Sequence, residues 1–157
     1  MPEINLGIIG GGQLGSLLSV AAKKLNIKTT IYSDDQDAPA QNFSDYFVFG
    51  NYNDKEKILE FINKVDLITY EFENIPFDTL NEINKLKKVL PKPSVNRLIQ
   101  HRLAEKDFVN KLNIRTTRYV SIEKKSDIET LEDFLPGILK TTTMGYDGKG
   151  QFPIKKI

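Results

Sequence analysis

The sequence predicts an α/β protein: a Rossmann-like, doubly wound parallel sheet followed by the first part of a second domain. Short apolar strands alternate with helical segments through about the first 90 residues, an order typical of parallel sheets covered by helices on both faces. A glycine-rich turn at residues 10–15 connects the first strand to the first helix, and a second glycine-rich loop lies at residues 145–151.

The elements of the first domain follow from apolar periodicity and from capping residues. Strands are predicted at residues 6–9, 28–32, 46–49 and 65–70. Helices are predicted from Ser16 to Leu25, from a cap at Asp54 to Ile62, and from Pro76 to about Leu86. A short apolar segment at residues 88–90 closes the series.

The proline-rich segment 91–94 predicts a domain boundary, which gives domains of residues 1–93 and 94–157. Ser94 is expected to cap a helix whose apolar face continues to Leu112. Further elements are predicted as a strand at residues 119–120, a helix over 128–135 and a hairpin between 138–140 and 152–154. The second region is short for a whole domain, so we expect only the beginning of one.

Composition excludes several classes of function. Lys and Arg number 22 against 21 acids, so net charge does not favour nucleic acid or membrane as a partner. There is no cysteine and His101 is the only histidine, which argues against thiol chemistry and a multi-histidine zinc site. The sequence shows neither a signal-peptide layout nor an apolar run of the ~20 residues that a membrane helix needs. We expect a cytoplasmic protein.

The first glycine cluster has the dinucleotide-binding spacing, with Gly10, Gly12 and Gly15 between a strand and a helix and with Asp34 and Asp35 near the expected ribose position. Taken alone it favours an NAD-dependent enzyme, and the alternative is tight helix–strand packing. The N-terminus of a helix attracts any phosphate, however. The motif therefore predicts an anion and leaves the ligand open.

An acidic segment, residues 70–76, follows the fourth predicted strand. It carries Glu71, Glu73 and Asn74. Ligands of open α/β sheets bind at the carboxyl ends of the strands, so these side chains are candidates to hold an amine, a ribose or a cationic ring. The alternative is an acidic surface loop.

The second glycine-rich loop also predicts a phosphate site. Three glycines within six residues allow backbone N–H groups to surround an anion, and Lys140 and Lys149 add positive charge. The alternative is a glycine-rich β-hairpin without a ligand.

Several of these segments resemble one family in the same order along the chain. The resemblance is to the N-terminal part of the 5-(carboxyamino)imidazole ribonucleotide synthases, ATP-grasp enzymes of bacterial purine synthesis. It rests on residues 7–15, 37–40, 69–76, 102–106, 140–141 and 145–151. The sequences YEFEN and GYDGKGQ are far more specific than either glycine loop alone.

The resemblance implies a carbon–nitrogen ligase with ATP and Mg²⁺ as cofactors. ATP would drive the carboxylation of 5-aminoimidazole ribonucleotide by bicarbonate, giving 5-carboxyaminoimidazole ribonucleotide, ADP and phosphate. It also implies a homodimer in the complete enzyme. Positioning and charge stabilisation dominate phosphoryl transfer.

The resemblance also implies roles for individual residues. ATP would be bound by Arg102, Lys140, Gly145, Tyr146, Asp147, Gly148, Lys149, Gly150 and Gln151. Of these, Tyr146, Asp147 and Lys149 would be catalytic and face the second substrate. The ribonucleotide would be bound by Gly10, Gly12, Gln13, Leu14, Gly15, Glu71, Glu73 and Asn74.

The sequence departs from the family pattern at Ser16, His101, Thr142 and Met144. The family continues past the end of this sequence, and the acids that hold Mg²⁺ are expected outside it, so we expect this chain alone to be inactive. Three alternatives stay open: a non-catalytic ribonucleotide-binding fragment, another ATP-grasp ligase such as the formate-dependent purine transformylase or biotin carboxylase, and an NAD-dependent Rossmann enzyme.

Overall fold

A computed structural model describes residues 4–145 and 148–155. The strands are β1 (Asn5–Ile9), β2 (Lys28–Ser33), β3 (Tyr46–Phe49), β4 (Leu67–Tyr70), β5 (Gly137–Lys140) and β6 (Gln151–Ile154). The α-helices are α1 (Gln13–Lys24), α2 (Lys55–Ile62), α3 (Phe77–Leu86), α4 (Pro93–Ile99), α5 (Arg102–Lys111) and α6 (Lys125–Ile128), and Pro39–Asn42 and Glu132–Phe134 form 3₁₀ turns. The chain divides into two compact units, one up to Arg97 and one from Leu98.

The first unit is built on a parallel four-stranded sheet in the order β3-β2-β1-β4. Successive residues of the central strands point to opposite faces. Ile9 and Tyr32 pack in a large apolar cluster with Phe61 of α2, whereas Ile8 and Ile31 pack against Ala40 on the other face. The predicted doubly wound parallel sheet is confirmed.

Helix α1 packs against the sheet through small side chains. Its buried residues are Gly15, Ser16, Ser19 and Ala22, and the hydroxyls of Ser16 and Ser19 donate to the carbonyls of Gly12 and Gly15, one turn earlier. A Cβ atom on Gly15 would lie 2.8 Å from the carbonyl oxygen of Gly10. The helix can therefore approach β1 closely enough to place its first turn at the end of that strand.

Helices α2 and α3 cover the other face of the sheet. Asp54 caps α2 by accepting a hydrogen bond from the Lys57 backbone N–H at 3.1 Å, as its sequence position predicts. Helix α3 follows Pro76 and buries Leu80 and Ile83. The apolar segment at residues 88–90 adds an isolated parallel bridge between Val89 and Ile68.

The region after residue 93 departs from the prediction in four respects. The single helix expected after Ser94 is two helices, α4 and α5, because His101 interrupts it and caps α5 with its Nδ1 atom. Ser94 lies inside α4 and is not its cap. The strand predicted at residues 119–120 was wrong: its Tyr119 hydroxyl donates instead to Asp107 of α5.

The fourth departure concerns the helix predicted over residues 128–135. The carboxylate of Asp127 accepts from the backbone N–H groups of Glu123 and Lys124, which starts α6 earlier, and only a 3₁₀ turn follows it. The predicted hairpin is confirmed as the antiparallel pair β5–β6. Within residues 4–145 and 148–155, no helix has the length and apolar character needed to cross a membrane.

The Asp54 cap gives a test of how α2 is stabilised. Replacing Asp54 by Ala leaves the Lys57 N–H without its acceptor, so the free energy of unfolding should fall by about 0.5–2 kcal/mol. Urea unfolding measures this change. Asp54→Asn, which keeps an acceptor oxygen, is the control and should lose much less; equal losses in the two variants would show that the cap is unimportant.

Candidate functional site

The glycine turn lies at the carboxyl end of β1, where its backbone is held from two sides. Gly10 has φ +112°, which favours glycine, and its N–H donates to the Tyr32 carbonyl at 2.9 Å. The Gly11 carbonyl accepts from the N–H of Ala40 at 3.0 Å. A Cβ atom on Gly11 would meet that of Ala38. The segment at residues 37–40 therefore packs against the glycine turn and holds it by a backbone hydrogen bond.

Glu71 reaches the glycine turn from the neighbouring strand. It follows β4, which pairs with β1, and its own N–H donates to the Ile9 carbonyl at 3.1 Å. Its Oε1 atom accepts from the Gly12 N–H at 3.0 Å in a partly buried position. The structure thus brings Glu71 together with Gly10, Gly12 and Gly15, and a carboxylate of the chain itself lies at the N-terminus of α1.

Gln13 and Leu14 form the exposed start of α1. The first N–H groups of a helix have no partner within the helix, and α1 has no side-chain cap at Gly12 and no acid in its first turn. These N–H groups and the positive end of the helix dipole are where an anion would be stabilised.

Asp34 and Asp35 follow β2 at the same edge and are exposed. Two tyrosines that carry no sequence motif lie beside Asp34. Burial, and then the charges of Asp54 and Asp34, raise the pKa of Tyr32 from 10.0 to about 12. Burial, the Asp34 charge and a hydrogen bond to Asp34 also raise the pKa of Tyr52, and Glu71 contributes. From the sequence, the only indication that Tyr52 lies near Asp34 is its position shortly after β3, at the same edge of the sheet.

The other two candidate site residues of the acidic segment, Glu73 and Asn74, differ from Glu71 in position. Glu73 is exposed, whereas Asn74 is partly buried. The Nδ2 atom of Asn74 is buried and forms no hydrogen bond within the described part of the chain. The two candidates thus differ in environment, since Asn74 has a buried donor atom whereas Glu73 is exposed to water.

In the second unit, Arg102 holds the glycine-rich loop. Its Nε atom donates to the Thr141 carbonyl at 3.1 Å, and its Nη2 atom donates to the Gly145 carbonyl at 2.7 Å. Its backbone N–H donates to the Thr142 carbonyl at 2.8 Å. Arg102 therefore fixes the start of the loop from the N-terminus of α5.

The loop itself closes between β5 and β6. The Thr141 N–H donates to the Gly150 carbonyl at 2.9 Å, and Gly148 and Gly150 have φ of +80° and +65°. Lys140 and Lys149 are exposed, and Gln151 begins β6. Tyr146 and Asp147, two of the predicted catalytic residues, lie outside the described residues.

The described residues include no group of three or more acids or histidines close enough to hold a metal ion. Among the described residues, the charged side chains predicted for this phosphate site are the cations Arg102, Lys140 and Lys149. This donor set suits phosphate oxygens rather than a divalent cation.

Comparison with known proteins gives consistent matches. Residues 3–100 match the family described as "Ribonucleotide synthetase preATP-grasp domain". An N5-carboxyaminoimidazole ribonucleotide synthase from Bacillus subtilis is 39% identical over 158 residues, which cover 99% of this chain and 41% of the relative.

Two solved structures share the fold. N5-carboxyaminoimidazole synthetase from Staphylococcus aureus, complexed with ADP, has a TM-score of 0.88 at 32% identity, over 98% of this chain and 42% of that one. Carboxyaminoimidazole ribonucleotide synthase from Aspergillus clavatus, complexed with ATP, has a TM-score of 0.82 at 27% identity, over 98% of this chain and 42% of that one. The chain thus spans about two fifths of the length of these relatives.

The raised pKa of Tyr32 predicts a pH dependence of stability. The unfolded chain ionises Tyr32 near pH 10 and the folded chain near pH 12, so between these values the unfolded state loses the proton first and stability falls as pH rises. Tyr32→Phe removes this contribution. The free energy of unfolding, measured in urea from about pH 9 to about pH 12, should fall less steeply in Tyr32→Phe than in the wild type.

Tyr46→Phe is the matched control, since the Tyr46 side chain is 49% exposed. It should keep the wild-type slope. Equal slopes for the wild type and Tyr32→Phe would contradict the assignment.

Proposed function

This chain belongs to the ribonucleotide synthetase preATP-grasp domain family, and we propose that it serves in the ATP-dependent carboxylation of 5-aminoimidazole ribonucleotide by bicarbonate. The product is 5-carboxyaminoimidazole ribonucleotide, with release of ADP and phosphate. The reaction class is that of an ATP-grasp carbon–nitrogen ligase of purine biosynthesis, as the names of the relatives suggest. We further propose that the enzyme acts in the cytoplasm as a homodimer.

The observation that carries this proposal is the contact between the glycine turn and the acidic segment. The Gly12 N–H donates to Glu71 Oε1 at 3.0 Å. Backbone N–H donors suited to a phosphate therefore lie next to a carboxylate acceptor. A ribonucleotide offers the matching groups, a phosphate followed by ribose hydroxyls and an amine-bearing ring. Gly10, Gly12 and Gly15 would shape the phosphate site, and Glu71 and Glu73 would accept from the ribose or the ring.

Charge decides how the phosphate is placed. Two like unit charges about 4 Å apart repel by about 4 kcal/mol at an effective dielectric constant of 20. The ribonucleotide phosphate therefore cannot share the Gly12 N–H with an ionised Glu71. We infer that it binds the backbone N–H groups of Gln13 and Leu14, while Glu71 faces the ribose or ring. Asn74, whose Nδ2 atom is buried and forms no hydrogen bond within the described part of the chain, would bind the ribonucleotide beside Glu71 and Glu73.

The rest of the chain disfavours a dinucleotide. The spacing of Gly10, Gly12 and Gly15 fits the NAD fingerprint, whose pyrophosphate sits at the helix N-terminus. The second glycine-rich loop has no role in dinucleotide binding, and the family match covers residues 3–100. Both favour the ligase over an NAD-dependent enzyme.

The ATP side belongs to the second unit. Lys140 and Lys149 would contact phosphate oxygens, with the loop at residues 145–151 closing over them, and Lys149 would act with Tyr146 and Asp147 near the second substrate. Arg102 donates to two loop carbonyls, so it would position the loop while its remaining N–H groups meet a phosphate. Mg²⁺, which neutralises phosphate charge in such enzymes, finds no ligand set among the described residues.

Titration calorimetry tests the proposal on this chain. We expect 5-aminoimidazole ribonucleotide to bind, and NAD and NADP not to bind. Gly15→Ala should abolish ribonucleotide binding, because its Cβ would lie 2.8 Å from the Gly10 carbonyl oxygen and distort the turn. Lys140→Ala, on the ATP side, is the control and should bind the ribonucleotide as the wild type does. NAD binding without ribonucleotide binding would overturn the proposal.

A further inference from the structure

Asn96 has a side chain that the proposed mechanism does not use. It lies in α4, 21 residues after Ile75 of the acidic segment, and it is 0% exposed. Buried asparagine is uncommon, because a carboxamide loses its hydrogen bonds to water when it leaves solvent. The partners of Asn96 should therefore indicate what it does.

The side chain of Asn96 binds the end of the acidic segment. Its Nδ2 atom donates to the carbonyl oxygen of Ile75 at 3.1 Å, and Ile75 is itself 0% exposed. Asn96 therefore holds residues 70–76 close to their C-terminal end.

Packing alone does not account for this residue. The Oδ1 atom of Asn96 is buried and forms no hydrogen bond within residues 4–145 and 148–155. A buried acceptor left unpaired is unfavourable, since it gives up water without a replacement. A purely structural position would be filled more favourably by an apolar side chain. The Asn96 side chain therefore contributes through its Nδ2 atom, which donates to the Ile75 carbonyl and fixes its position.

The segment is fixed at its other end by Glu71. Its N–H donates to the Ile9 carbonyl at 3.1 Å, and its Oε1 atom accepts from the Gly12 N–H at 3.0 Å. Between these two attachments lie only Phe72, Glu73 and Asn74. A change at Ile75 is therefore transmitted over a few residues to the carboxylate at the glycine turn.

We propose that Asn96 is a positioning residue for the ribonucleotide site: it holds residues 70–76 so that Glu71 stays on the glycine turn. The assignment rests on the proposed function for its ligand, but the positioning itself can be measured without a ligand. Asn96 acts through Ile75 and does not contact the substrate.

Amide hydrogen exchange followed by NMR on this chain tests the positioning directly. Asn96→Leu removes the donor and keeps the branch at Cγ, although with a larger side chain. Asn96→Ala removes the donor without adding volume and is the second variant if leucine does not fold. Exchange of the Gly12 N–H, whose acceptor is Glu71, should become at least about tenfold faster, because the segment is then free to move. Asn96→Ser, which keeps a hydroxyl donor, should restore part of the protection.

Asn84→Ala is the matched control. The Asn84 side chain also bonds the backbone, accepting from the Val89 N–H at 3.0 Å, but it lies outside the acidic segment. It should leave Gly12 exchange unchanged. Unchanged Gly12 exchange in the folded Asn96 variants would overturn the proposal, as would equal acceleration at amides throughout the first unit, which would indicate general destabilisation.

Calorimetry with 5-aminoimidazole ribonucleotide separates this inference from the proposed function. If the wild type binds, the Asn96→Leu and Asn96→Ala variants should bind the ribonucleotide about tenfold more weakly. The Asn84→Ala variant should bind it as tightly as the wild type does. If the wild type binds and the Asn96 variants bind equally well, the positioning role is wrong and the function stands. If the wild type does not bind, the function fails and the exchange experiment alone decides the role of Asn96.

Discussion

The site in the first unit depends on one hydrogen bond, from the Gly12 N–H to Glu71 Oε1 at 3.0 Å. Two features of the fold make it possible. Strands β1 and β4 are parallel neighbours in the sheet, so the segments that follow them begin side by side. Gly10 and Gly12 carry no side chain, and a Cβ atom on Gly10 would come within 2.8 Å of the Glu71 carboxylate. The bond therefore requires both the strand order and the glycines.

The second unit uses a side chain in a similar way. Arg102 donates to the carbonyls of Thr141 and Gly145, so a cation holds the glycine-rich loop by its backbone. The two loops are thus organised by opposite charges: an acid at the N-terminus of α1 in one unit, and a base at the N-terminus of α5 in the other. The first arrangement provides an acceptor beside phosphate donors, and the second provides positive charge for phosphate oxygens.

Local signals explain which features could be predicted from sequence. The glycine spacing, the apolar strands and the Asp54 cap each act within a few residues, and the structure confirms the sheet and the helices that they predict. The errors came where a distant partner decides the structure. Tyr119 bonds Asp107 instead of joining a strand, and His101 caps a new helix where the apolar pattern suggested continuation.

The same limit applies to the candidate site. Glu71 was identified as a site residue because it follows a strand, but its bond to Gly12 depends on the order of strands in the sheet, which periodicity does not give. Tyr52 and Asn96 carry no motif, and their importance comes from burial beside Asp34 and beneath Ile75. The roles of the loop residues and of Lys149 stay predictions that follow from the family.

The central claim is that the glycine turn and Glu71 together receive a ribonucleotide. A crystal structure of this chain with 5-aminoimidazole ribonucleotide tests it most directly. We expect phosphate oxygens within hydrogen-bonding distance of the backbone N–H groups of Gln13 and Leu14, with the Glu71 carboxylate against the ribose or the ring. A ribonucleotide bound elsewhere on the first unit, with the glycine turn and Glu71 unchanged, would contradict it.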